Sequence, residues 1–126
     1  MTARLIAAFL IVFWAASCAK QATFEENYET AKANAATQPG TAYDNAVSAA
    51  VAVPGFALAQ RTCVVNNPGV VSLHGYIWIK SPSDYSVVLE PKGPLADCID
   101  STITNRTLPT PPTTPYLNPV EFVVTK

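Results

Sequence analysis

The chain has little charge, one histidine and no long apolar run. Eight basic and nine acidic residues are spread over 126 positions, for a formal net charge of −1. The Lys and Arg residues form no cluster. Binding to nucleic acid needs such a cluster to neutralise phosphates, so no nucleic-acid partner is expected. His74 stands alone, and no Cys-x-x-Cys pair occurs. The usual zinc ligand sets are therefore missing, and no metal is expected. A lone histidine also leaves no recognisable nucleophile–base arrangement. We expect no enzyme and no cofactor. Finally, no apolar run reaches the roughly 20 residues that span a bilayer.

What the chain does have begins at its N-terminus. Met1 to Lys20 reads MTARLIAAFLIVFWAASCAK. One basic residue, Arg4, precedes an apolar run from Leu5 to Ala16, then the small residues Ser17, Cys18 and Ala19. This order is that of an export signal. Ala15-Ala16-Ser17-Cys18 resembles a bacterial lipobox, which predicts a lipoprotein-type signal over residues 1–17 and lipidation at Cys18. The alternative is ordinary cleavage after Ala19. A lipid anchor would place the protein in the cell envelope, facing the periplasm. Ala19 after the cysteine, where Asp is absent, points to the outer membrane.

Three cysteines are present: Cys18, Cys63 and Cys98. Either mode of processing removes or consumes Cys18. An oxidising compartment then permits Cys63 and Cys98 to form a disulfide, the alternative being two separate buried thiols. About 110 residues remain from position 18 to 126, enough for one small domain.

That domain divides into a helical half, residues 22–66, and a β-rich half, residues 67–126. Thr23-Phe24-Glu25-Glu26 is a capping-box pattern. Phe24, Tyr28, Ala31 and Ala35 follow at helical spacing. Gln38-Pro39-Gly40 is expected to stop that helix, and Thr41 to open a second that ends before Pro54-Gly55. A third short helix is expected over Phe56–Val65. From Val70 the period changes to two, so Val71, Leu73, Ile77 and Ile79 face one way and Ser72, His74, Tyr76, Trp78 and Lys80 the other. Ser81-Pro82-Ser83-Asp84 predicts a turn and Tyr85–Glu90 a returning strand. Pro94 suits the first turn of a helix bearing Leu95, Cys98, Ile99 and Thr102. Four prolines between Leu108 and Pro115 demand an extended segment. A last strand is expected around Val120, Phe122 and Val124. The fold class read from this order is α+β, with helices followed by strand, strand, helix and strand, and a small antiparallel sheet covered on one face by helices.

Part of this pattern resembles the C-terminal domain of TonB-type energy transducers, in its cysteine-containing branch from gliding-motility proteins. The residues that carry the likeness are Cys63, Gly69-Val70-Val71-Ser72-Leu73, Ser81-Pro82-Ser83-Asp84, Cys98-Ile99, Leu108-Pro109-Thr110-Pro111 and Pro119-Val120-Glu121-Phe122. They span roughly residues 63–126. The family's Gly after the turn Asp is Tyr85 here. The likeness implies that fold and a habit of binding peptides at a sheet edge.

The remaining candidate is the aromatic stripe His74, Tyr76 and Trp78. On an open strand face it is a binding surface. Beneath the N-terminal helices it is core. The expectation drawn from all of this is an exported envelope lipoprotein that binds a protein or peptide partner. The alternative is an accessory subunit of a larger envelope assembly with no ligand of its own.

Overall fold

The computed structural model describes residues 20–52 and 55–123. Helix α1 spans Phe24–Ala36. The capping box forms as the sequence predicts: Glu26 N donates to Thr23 Oγ1 at 3.2 Å, and Thr23 N donates to Glu26 Oε2 at 3.1 Å. Two backbone donors at the helix start are thereby satisfied.

The next boundary differs from the expected one. Helix α2 covers Gln38–Val51, so Gln38-Pro39-Gly40 forms its first turn and does not lie outside it. Pro39 is tolerated there because the first turn needs no proline N–H. A single residue, Thr37, ends α1 and caps α2. Its Oγ1 donates to Asn34 O at 2.7 Å and accepts from Gly40 N at 3.1 Å. Glycine at 40 makes the turn possible, since a Cβ there would stand 1.7 Å from the Asn34 carbonyl oxygen.

Helix α3 covers Phe56–Asn66 and follows Gly55, which takes a left-handed φ of 95°. Strands β1 (Ser72–Ser81) and β2 (Asp84–Glu90) form the expected antiparallel hairpin around Pro82-Ser83. Helix α4 covers Pro94–Ile103, with Pro94 in its first turn. The proline-rich segment then returns the chain to strand β3, Tyr116–Val123. The sheet order is β2-β1-β3, antiparallel throughout. β3 starts four residues before Val120 and takes in Pro119, opposite Tyr76. An edge strand accepts proline because the missing N–H faces away from its one neighbour.

The alternation of β1 sorts the core. Leu73, Ile77 and Ile79 pack with Leu89 of β2 against Leu95, Ile99 and Ile103 of α4, with Tyr43 and Val47 of α2 and Cys63 of α3 alongside. Each of these buried aliphatic side chains contributes about 1.5–3 kcal/mol by leaving water. Cys63 and Cys98 are joined by a disulfide, which ties α3 to α4. This is the expected α+β arrangement, with helices on the sheet. Helix α1 adds cover on the second face, where Tyr76 packs with Tyr28 and Ala31. The Thr37 turn thus folds two helices around the outer edge of β3, α1 on one side and α2 on the other.

That edge is closed to further pairing at its centre. Asn34 Nδ2 donates to Leu117 O at 3.0 Å, and Asn118 Nδ2 donates to Pro119 O at 3.2 Å. Pro119 has no N–H to offer. A partner strand would find these groups already engaged.

Candidate binding clefts

The three residues of the aromatic stripe meet different fates. Tyr76 is 7% exposed under α1, and its hydroxyl accepts from Asn27 Nδ2 at 3.1 Å. It belongs to the core, and burial removes it from any open surface. His74 is half-buried, 5.0 Å from the Tyr28 ring and 5.6 Å from the Phe24 ring by centroids. Trp78 is 45% exposed, with Lys80 Nζ 5.3 Å from its ring centroid. Of the stripe, only Trp78 presents a large aromatic surface. Phe24 and Tyr28 of α1 pack on His74 and Tyr76, whereas α1 faces Trp78 only across a cleft lined by Asn27, Thr30 and Asn34. Cys18 lies outside the described residues.

Trp78 borders a cleft of about 500 Å³ between α1 and the segment leading into β3. A larger cleft, of about 640 Å³, lies along β3 on the other side of the α1–α2 turn. Its walls are apolar: Val47 and Val51 from α2, Phe56 from α3, Ile103 from α4, and Val120 and Phe122 from β3. Arg106 stands over the Phe56 ring, 5.7 Å from its centroid.

The floor of the larger cleft is polar. Asn118 is 1% exposed and donates through Nδ2 to Asp44 Oδ1 at 2.9 Å. Its Oδ1 has no hydrogen-bond partner among the described residues. A buried acceptor left in that state costs free energy, on the order of 1–3 kcal/mol. Next to this pair, the Tyr116 ring meets Tyr43 edge-on at 5.2 Å, and the Tyr116 hydroxyl is likewise unpartnered. Burial, with a smaller contribution from the Asp44 charge, pushes the Tyr116 phenol upward. Burial drives Tyr43 up to about 12. At the rim, Tyr28 OH donates to Glu121 Oε1 at 2.7 Å. That hydrogen bond to a carboxylate, helped by burial, raises Tyr28 to about 12. Both phenols stay protonated at neutral pH and act as donors.

The larger cleft can therefore hold an apolar group and can hydrogen-bond a donor at its floor. Among the described residues, no group of three or more His, Cys, Asp and Glu side chains could hold a metal ion. No single described helix is long and apolar enough to cross a membrane.

No family model, curated protein or solved structure matches this chain.

Several lining residues escaped the reading of the sequence. Asn27, Thr30 and Asn34 recur at i, i+3 and i+7, a polar stripe on α1 that its spacing does reveal. Phe56 and Phe122 carry no such signal, because their approach depends on how α3 and β3 meet. Asn118 is equally silent, since polar residues on strands are usually exposed.

Proposed function

We propose that this protein is a small exported envelope protein, held to the membrane by lipid on Cys18, that acts by binding a protein or peptide partner. The apolar cleft along β3 carries this reading. It is open, it has hydrophobic walls, and its floor holds an unpartnered buried acceptor, the combination expected of a recognition pocket. Because the centre of the β3 edge is closed, the partner docks through side chains and not by adding a strand. An apolar side chain fills the cleft, and a donor from the partner reaches towards Asn118.

The subunit reading also has an observation in its favour. Leu58 and Val65 are 68% and 76% exposed, and lie seven residues apart on α3. An apolar outer face of this kind suits a permanent neighbour.

One experiment separates the two. Photo-crosslinking residues are placed in living cells at Ser48 and Gln60 on the cleft rim, at Leu58 and Val65 on α3, and at Ser86 on β2. Adducts at Ser48 and Gln60 that fade in a Phe56→Ala background are expected. Adducts confined to Leu58 and Val65 would favour the subunit. Equal labelling at Ser86 would defeat the cleft reading.

A further inference from the structure

The cleft beside Trp78 has a chemistry unlike that of the larger one. Its lining includes Gln21, Asn27, Thr30, Asn34 and Thr113 around the indole, and no Asp, Glu, Lys or Arg side chain is part of it. At about 500 Å³ it lies within the range of small-molecule sites, roughly 300–1,000 Å³. We propose that this cleft binds a neutral sugar ring, with one carbon–hydrogen face of the sugar against Trp78.

The hydrogen bonds already made set the polarity that remains. Asn27 Nδ2 gives a hydrogen to Tyr76 OH at 3.1 Å. Asn34 Nδ2 gives one to Leu117 O at 3.0 Å. The Thr30 hydroxyl gives its proton to Glu26 O at 2.9 Å. With one N–H of each amide committed to the sheet and the Thr30 proton committed to its own helix, the three side chains offer a ligand two amide oxygens, the lone pairs of a hydroxyl and one remaining N–H from each amide. The complementary ligand carries several hydroxyl-type groups, each both donor and acceptor, around a compact body with an apolar face. Sugar hydroxyls and the axial C–H groups of a pyranose provide both. An anion would meet amide oxygens and no lining cation. A cation would meet no carboxylate. An aliphatic chain would leave the amides without partners, at a cost in affinity.

The arrangement is also held in place. The bonds from Asn27 and Asn34 anchor α1 to the sheet, so the acceptors are fixed before a ligand arrives, which reduces the ordering cost of binding. Trp78 is held by its strand and by Lys80 against one face of its ring.

The test uses the chain from Cys18 onward, the form left once the proposed signal is removed, in which Trp78 is the sole tryptophan. Neutral cello-, malto- and N-acetylchito-oligosaccharides are titrated, with an oligouronic acid as the charged control. At least one neutral series should shift the Trp78 emission saturably. Calorimetry on the variants should then show binding weakened at least tenfold by Trp78→Ala, and likewise by Thr30→Arg, which fills the cleft from α1. Circular dichroism confirms that both remain folded. The proposal is overturned by no emission change at the solubility limit of every neutral sugar. It is also overturned by a response to the uronic acid alone, or by affinity unchanged in both variants.

Discussion

Replacing Cys63 and Cys98 together by alanine should remove a large part of the stability of this domain. The disulfide links residues 35 positions apart, and the loop it closes contains the entire β1–β2 hairpin. In the unfolded chain, that link keeps α3 and α4 segments near each other and denies the hairpin segment much of its freedom. The chain-entropy relation for a loop of this length gives about 4 kcal/mol. Against a typical total of about 5–15 kcal/mol, that is a quarter or more of the margin. It corresponds to a fall in melting temperature of roughly 15–30 °C for a domain of this size. Urea melts of the oxidised protein and of the double variant measure it directly. The variant should also show a steeper denaturant dependence, because its unfolded state is free to expand and exposes more surface. A loss below about 1 kcal/mol with an unchanged slope would refute the reasoning, since the cross-link would then not be restraining the unfolded chain. Two alkylatable thiols in the untreated protein would refute the pairing itself.

Two further outcomes follow from how the aromatic side chains are packed. Tyr76→Ala should cost about 3–5 kcal/mol, the range for losing a buried aromatic, whereas Trp78→Ala should cost under about 1.5 kcal/mol. Urea melts of the two variants decide this, and equal losses would mean that Trp78 is as much part of the core as Tyr76. In an alkaline titration followed by phenolate absorbance, Tyr28 and Tyr43 should ionise near 12, above the ordinary value of 10.0. Both folded-state values are raised, so the stability they contribute is intact below pH 10 and is lost as the pH climbs through 12. A single transition near pH 10 for all five tyrosines would contradict the hydrogen bond to Glu121 and the burial of Tyr43.

The elements that could be read from the sequence are those set by local chemistry. The capping box of Thr23 and Glu26, the hairpin at Pro82-Ser83 and the Pro94 helix start each depend on neighbours within a few residues. Pro39-Gly40 misled because the same pair can end one helix or begin the next. What decides between them is the approach of Gly40 to Asn34, a contact between two helices. β3 was legible only in its second half, since Pro119 argues against a strand until its place at the sheet edge is known. The disulfide followed from parity and compartment. The sites were less legible. Trp78 stood out by its bulk, but whether it or Tyr76 is covered depends on where α1 comes to rest. Asn118 becomes notable only once Asp44 arrives beside it from 74 residues away.

The closed outer edge of β3 also limits how copies of this protein could associate. Among the described residues, in the sheet order β2-β1-β3, only β2 remains an edge free to accept another strand. Two copies that met edge to edge at β2 would each present a blocked β3 to the outside. Growth by edge pairing would be checked at two, because the centre of each outer β3 edge is already engaged. The single open edge is itself guarded. Antiparallel pairing of two β2 strands centred on Val87 would set Asp84 of each copy opposite Glu90 of the other, and the like charges repel.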